Sequence, residues 1–209
     1  MHAIRVTTYK TNSPLQGKTH WWGFPDLPDG VEYPVNGDSD GEDDEDTMTF
    51  ICQINLQDIA QFDTDRLLPS KGMLYFFANI DYFLGDLEAD CEGLGFWDCK
   101  AFKVIYDPSC DNLRTHKVYW PDGSPACRPA EAINFGPTNE DEDGHKLLGT
   151  PFFEEVCQEA PGMISLLQID CDDDWGLQLF DMGNLNFLIS KEALKARDFS
   201  KVKLYFHSA

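Results

Sequence analysis

Short segments in which every second residue is apolar recur along this chain, and they restrict the folds open to it. In the segment 50–56, Phe50, Cys52 and Ile54 fall on one face, and the segment 73–78 repeats the pattern. Such alternation is typical of β-strands, because successive side chains of a strand point to opposite faces of the sheet. The sequence therefore predicts a protein rich in β-strands.

Further strands are predicted in the second half of the chain, and helices are few. The strands are expected at 163–169, 176–181, 184–189 and 202–207. The clearest helix signal lies in 190–196, where Ser190 can act as the N-cap and Lys195 stands near the C-terminal end. A second helix of one or two turns is predicted within 56–62.

Three sequence blocks occur in the same order in both halves of the chain: G-x-P, then a strand ending in Q-I-[ND], then G-x-L-x-F-[FL]. They stand at 23–25, 50–55 and 72–77, and again at 149–151, 165–170 and 183–188. This order predicts an internal duplication. We expect a single domain with a β-rich α+β fold and few short helices. Its two similar sheet units, about 1–120 and 145–209, would have a pseudo-twofold arrangement and be joined by a long irregular connection, 121–144.

Acidic residues dominate the charge of the chain. There are 37 Asp and Glu residues against 16 Lys and Arg residues, a formal net charge of −21. The phosphate backbone would be repelled, which disfavours nucleic acid as a direct ligand. The densest run, 38–46, reads DSDGEDDED and resembles an insertion into the first half. Two interpretations stay open: a loop that only maintains solubility, or an interaction surface for a basic partner.

Features of export, membrane insertion and cofactor binding are not found in the sequence. No apolar stretch reaches the ~18 residues of a membrane helix, and we find no signal-peptide pattern. The 7 cysteines have irregular spacing without a C-x-x-C pair, and the group Cys91, Cys99, Cys110 and His116 fits no zinc motif. We therefore expect a cytoplasmic protein with reduced thiols, no cofactor and no membrane partner.

Motifs of the common enzyme classes are also missing. The sequence contains no G-x-S-x-G, H-E-x-x-H, Walker A or G-x-G-x-x-G motif. His20 and His145 precede the two G-x-P blocks, which we interpret as a structural consequence of the duplication. We predict no catalytic residue.

Two groups of residues are candidates for binding. Asp38, Asp40 and Glu42 have the spacing of the first ligands of an EF-hand, but the required later Gly and Glu are missing, so they are only weak candidates for a divalent cation. Trp21 and Trp22 are adjacent. In a strand one of them would face outward, where Trp often anchors an interface; alternatively, both pack inside.

The blocks also carry a resemblance to a known family. They read WGFPDLPDGVEYP at 22–34, ICQINL at 51–56, LPSKGMLYFF at 68–77, HKLLGTPFF at 145–153, LLQID at 166–170 and ARDFSKV at 196–202. Together they resemble the YwqG-like family, a bacterial group of unknown function, over nearly the whole chain. The resemblance implies an internally duplicated α+β fold and no catalytic residue. Members can occur near toxin loci of competing bacteria.

The leading functional prediction is a non-catalytic binding protein, for example an acidic immunity protein that neutralises a basic toxin. The predicted partner-binding residues are Trp21, Trp22, Asp38, Asp40, Glu42, Asp43, Asp44, Glu45 and Asp46. The alternative is a small-molecule or divalent-cation binding protein that uses the cleft between the two repeats. An enzyme without a recognisable motif is the third hypothesis.

Overall fold

Strands make up most of the regular structure in the computed structural model, which describes residues 2–36, 47–120 and 122–208. The strands are β1 Ala3–Tyr9, β2 His20–Trp21, β3 Asp26–Pro28, β4 Thr49–Asn55, β5 Met73–Ala78, β6 Gly95–Phe96, β7 Phe102–Asp107, β8 Leu113–Thr115, β9 Glu131–Thr138, β10 Lys146–Leu147, β11 Ile164–Asp170, β12 Asn184–Ile189 and β13 Lys203–His207. The helices are α1 Leu56–Ile59, α2 Glu154–Glu159 and α3 Lys191–Ala196, and 3-10 turns form at Tyr82–Leu84 and Phe199–Lys201.

One antiparallel sheet organises the molecule. It has eleven strands in the order β6-β13-β12-β11-β10-β1-β9-β2-β4-β5-β7 and curls into a half-barrel. The strands β3 and β8 form a separate two-stranded sheet. At the centre of the large sheet, β1 pairs with β9 along its whole length, from Ala3 opposite Thr138 to Tyr9 opposite Ala132.

The observed architecture corrects the predicted fold class. The fold is mostly β, with three short helices in the described residues, and is not an α+β fold built from duplicated sheet units. A single sheet runs through both halves of the chain, because β9 lies in the predicted irregular connection and pairs with both β1 and β2. Its sequence, EAINFGPT, contains Gly and Pro, which are depleted in strands. Pairing on both edges stabilises it as a strand nevertheless.

The local predictions succeed where the apolar pattern is strong. Strands form at β4, β5, β11, β12 and β13 as expected. In α3, the Ser190 hydroxyl accepts a hydrogen bond from the Ala193 amide at 3.1 Å, which confirms the N-cap. The predicted strand at 176–181 is wrong: this segment is a turn with one isolated bridge, between Asp172 and Leu177. Its buried leucines point into the core from a loop rather than from a strand.

Apolar side chains cover both faces of the sheet. All six residues of β5 are buried, and the strand divides its side chains between two clusters. Leu74 and Phe76 belong to the main core, whereas Met73, Tyr75 and Phe77 pack in a second cluster with Leu27 of β3. This division follows from the two-residue period of a strand. The small β3–β8 sheet therefore helps to cover the face that the main core does not.

No helix within the described residues is both long and apolar enough to cross a membrane.

Gly149 has a backbone conformation in which any other residue would be strained. Its φ is +95°, and an added Cβ would meet the Glu140 carbonyl oxygen and Ala3 Cβ. We expect Gly149→Ala to lower the free energy of unfolding by about 2–4 kcal/mol, from left-handed strain and a backbone clash. The matched control is Gly30→Ala, since Gly30 has φ +82° and open space around it. Urea unfolding will compare them, and equal losses would contradict the clash.

Candidate functional site

Both tryptophans of the predicted interface are in the interior. Trp21 is 0% exposed and Trp22 is 2% exposed. The alternation of a strand ends between them, because Trp22 has a left-handed φ of +56°. As a result, both indoles turn inward and contact Trp175, Trp21 as a stacked ring at 5.0 Å and Trp22 edge-on at 5.3 Å. Neither side chain is available as an exposed anchor.

The same cluster includes His145, which stacks on Trp175 at 4.8 Å. The Asp170 amide donates to Nδ1 of His145 at 3.1 Å, so the proton of the neutral ring is on Nε2, 3.5 Å from an oxygen of Asp172. The Trp175 indole N–H donates to Glu131 at 3.1 Å. These partners satisfy His145 and Trp175, whereas the indole N–H groups of Trp21 and Trp22 have no hydrogen-bond partner among the described residues. We interpret the aromatic stack as core structure rather than as a catalytic centre.

A second buried polar group is centred on Asp26, at the start of β3. Its carboxylate accepts hydrogen bonds from the Gly17 amide at 2.7 Å, the Gln53 amide at 2.9 Å and the Thr115 hydroxyl at 2.5 Å. The Nε2 atom of His20 lies 3.9 Å from it. Burial alone would raise the pKa of Asp26, but the neighbouring His20 ring and the hydrogen bonds from Thr115, Gly17 and Gln53 outweigh it and lower the pKa to about 2.

Gln53 positions this carboxylate from β4. Its side-chain oxygen accepts from the Asp26 amide at 2.8 Å, while its Nε2 donates to the Lys18 carbonyl at 2.8 Å. Gln168 makes comparable contacts in β11, since it accepts from the Phe152 amide and donates to the Gly144 carbonyl, both at 2.9 Å. Each glutamine therefore fastens a loop to the sheet.

An apolar cavity of about 450 Å³ adjoins Asp26 and His20. Its wall includes Cys127, a cysteine next to a His–Asp pair, which raises the question of a nucleophile. Burial raises the pKa of the Cys127 thiol to about 11. A catalytic cysteine has a lowered pKa, because the thiolate is the reactive form. The arrangement therefore does not support a cysteine nucleophile.

Two further cavities continue from the apolar one. The middle cavity, about 230 Å³, shares Pro125, Cys127 and Arg128 with it. The acidic cavity, about 260 Å³, shares Asp81, Asp86 and Trp120 with the middle cavity. The three cavities thus follow one another along the segment 120–130.

The acidic cavity collects carboxylates from one short stretch of chain. Its wall includes Asp81, Asp86, Glu88 and Asp90, and the 56% exposed Trp120 borders it. Sequence analysis missed this group, although the adjacent aromatic pair at 119–120 in a polar, Pro-containing stretch was an available signal.

The predicted acidic binding residues Asp38, Asp40, Glu42, Asp43, Asp44, Glu45 and Asp46 lie outside the described residues. The chain on either side of them is described. Val35 pairs with Thr47 in an antiparallel bridge, and both Asn36 and Thr47 line the acidic cavity. The run 38–46 is therefore joined to the described structure at this cavity.

Metal-binding groups are not assembled in the described part of the chain, where no three His, Cys, Asp or Glu side chains are arranged to hold an ion. Cys91, Cys99, Cys110 and His116 are described and form no such site. All 7 cysteines are free thiols. Asp38, Asp40 and Glu42, the weak cation candidates, lie outside the described residues.

Comparison with known families finds one match. A model of the family described as Domain of unknown function (DUF1963) matches residues 21–207. No curated protein matches the chain. The matched range includes every strand from β4 to β13 and most of the residues that line the three cavities. The match confirms membership of an uncharacterised family. The chain belongs to the family Domain of unknown function (DUF1963).

Proposed function

We propose that this chain is a non-catalytic, YwqG-like binding protein of the bacterial cytoplasm, and that the surface around its acidic cavity binds a basic protein. The observation that carries the proposal is the composition of that cavity. Asp81, Asp86, Glu88 and Asp90 line it, and no Lys or Arg is among its described lining residues. Carboxylates that line one cavity repel one another, so a cationic partner lowers the energy of the surface.

The segment that connects two residues of this cavity wall is also acidic in sequence. It contains seven acids, and its flanking residues Asn36 and Thr47 both line the cavity. A concentrated field of one sign accelerates encounter with a partner of the opposite sign and excludes partners of like charge. This supports a protein rich in Lys and Arg as the partner, such as a toxin whose cleft binds nucleic acid.

Trp120 supplies an exposed aromatic surface beside these carboxylates. An arginine guanidinium can stack on a Trp face while its N–H groups bond to carboxylates, and Trp is enriched among the residues that dominate binding energy. The partner is therefore expected to present arginine side chains.

Affinity capture with matched variants tests the proposal. The protein is used to capture partners from a lysate of its source organism at low salt, and bound proteins are identified after elution at high salt. We expect one basic protein, released by salt because the contact is electrostatic. The triple variant Asp86→Asn, Glu88→Gln, Asp90→Asn should recover it at least about tenfold less.

The control changes the net charge equally at another place. Glu154→Gln, Glu159→Gln and Glu192→Gln neutralise three exposed acids on α2 and α3. This control variant should retain the partner. Separately, Trp120→Ala should weaken the affinity of the purified complex by about tenfold or more. Equal losses in both triple variants, or no specific partner for the unchanged protein, would overturn the proposal.

A further inference from the structure

We propose that an open edge of β9 binds an extended peptide segment of another protein as an added strand. This edge lies in a cavity of about 880 Å³, here called the edge groove, whose walls come from residues 9–19, 57–62 and 132–135. The strand β9 continues to Thr138, whereas its pairing with β2 covers only Glu131 and Ala132. Beyond Ala132, no strand of the described structure pairs with this edge of β9.

The pairing of β1 shows which backbone groups of β9 face the open edge. Val6 stands opposite Phe135, but its amide donates to the His145 carbonyl on the other side of β1 at 2.9 Å. In an antiparallel ladder, successive residues direct their N–H and C=O groups to opposite edges. Asn134 and Gly136 therefore bond to β1, and the N–H and C=O groups of Phe135 point to the open edge.

The position of Pro137 agrees with this alternation. A proline has no N–H, and within sheets it occurs where its nitrogen faces an unpaired edge. Pro137 comes two residues after Phe135, so its nitrogen and its C=O face the open edge as well. No group of the described residues bonds to the Phe135 backbone on this edge. Because buried backbone groups without a partner are rare, we infer that these groups are accessible from the groove.

An extended backbone is the ligand that matches these groups. Its N–H and C=O groups alternate at the spacing of a strand, so they can continue the ladder that ends at Ala132. A helix cannot do so, because its backbone groups are already paired within the helix. The walls 9–19 and 57–62 flank the edge, which favours a single flexible segment over the edge of another folded sheet.

The two faces of β9 determine the sequence pattern of the peptide. Phe135 lies on the core side of the sheet, and both it and Phe62 of the groove wall pack against the main core. Asn134 points to the opposite face and is exposed. A peptide residue beside Phe135 therefore meets apolar side chains, whereas its two neighbours face the polar side.

The charges of the walls do not favour a charged peptide. Lys18 and Asp58 contribute one charge of each sign, and Asp58 accepts from the Thr19 hydroxyl at 2.6 Å. The segment is thus expected to be apolar at every second position, with uncharged polar residues between. It differs from the basic partner of the acidic cavity, which shares no lining residue with the edge groove.

A library of random seven-residue peptides displayed on phage, selected on the full-length protein, supplies the probe. We expect enriched sequences with an apolar residue at alternate positions. A synthetic copy is then methylated at one backbone nitrogen at a time. Binding should weaken at least about tenfold at every second residue, where the N–H points to β9, and change little at the residues between.

Hydrogen exchange of the protein locates the added strand. In the free protein, the Phe135 amide should exchange faster than the amides of Asn134 and Gly136, which bond to β1. The bound peptide should slow exchange at Phe135 at least about tenfold and leave Asn134 unchanged. Exchange at Phe135 that is slow in the free protein at every concentration would contradict the open edge. Slow exchange that appears only at high protein concentration would overturn the proposal in favour of a second copy.

A bulky side chain in the wall provides a matched pair of variants. Gln61→Trp should weaken peptide binding at least about tenfold, because the indole occupies the groove. The control Gln158→Trp, at an exposed glutamine of α2, should not. Equal affinities of the two variants, no enriched peptide, or methylation losses without a period of two residues would overturn the inference.

Discussion

Replacing Trp21 with Ala will lower the free energy of unfolding by about 3–5 kcal/mol. Trp21 has no exposed surface and stacks on Trp175 at 5.0 Å, with the His145 ring at 5.4 Å. Truncation removes a large apolar side chain and leaves a space that the surrounding strands of one continuous sheet can close only in part. Equilibrium unfolding in urea, followed by circular dichroism, measures the change.

Trp120→Ala is the matched control for this change. The same side chain is removed, but Trp120 is 56% exposed. We expect an effect within about 0.5 kcal/mol. If the two variants were destabilised equally, Trp21 would not have the structural role that its burial indicates.

Asp26→Asn will lower the free energy of unfolding by about 2–4 kcal/mol. The carboxylate accepts from Gly17, Gln53 and Thr115 at once. In an amide an NH₂ group replaces one acceptor oxygen and the negative charge is lost. If the NH₂ group takes the place of Oδ2, it faces the Gly17 and Gln53 donors; if it takes the place of Oδ1, the Thr115 hydroxyl can turn to accept from it, but the bonds from Gly17 and Gln53 lose their charged acceptor. The control is Asp29→Asn, because Asp29 is an exposed acid directly after β3 and its replacement should change stability little.

The same carboxylate makes a specific contribution to the pH dependence of stability. The pKa of Asp26 falls from 3.8 to about 2 on folding. A lowered carboxyl pKa stabilises the folded state fully above about pH 4, by about 2 kcal/mol, and this contribution is lost as the pH falls toward 2. The difference in stability between the unchanged protein and Asp26→Asn should therefore shrink between pH 4 and pH 2. A difference that stays constant over this range would contradict the lowered pKa.

Local signals in the sequence were sufficient for several elements. The alternation around Phe76 predicts β5, and Ser190 before a short amphipathic segment predicts α3. The strand β9 was not predicted, because it is stabilised by backbone pairing with β1 and β2 rather than by the strand propensity of its own residues. Conversely, Leu177 and Leu179 have the apolar alternation of a strand, but they lie in a loop and their side chains are buried in the core.

The candidate site depends more strongly on long-range structure. Thr115 and Asp26 share a hydrogen bond although they are 89 positions apart. No pattern within a short window encodes such a contact, because it exists only after β3 and β8 have paired. The position of Trp22 is a related case: its left-handed backbone, which turns the indole inward, is a property of the folded loop.

By itself, the sequence determined the strand-rich character, the capped helix, the strong negative charge and the family resemblance, because these are carried by composition and short-range periodicity. The tertiary structure decided that all the main strands join one sheet, that Trp21 and Trp22 are core residues, and that Asp86, Trp120 and Arg128 border adjoining cavities. The physical reason is that burial and cavity formation depend on contacts between distant segments, whereas alternation and capping depend on neighbours along the chain.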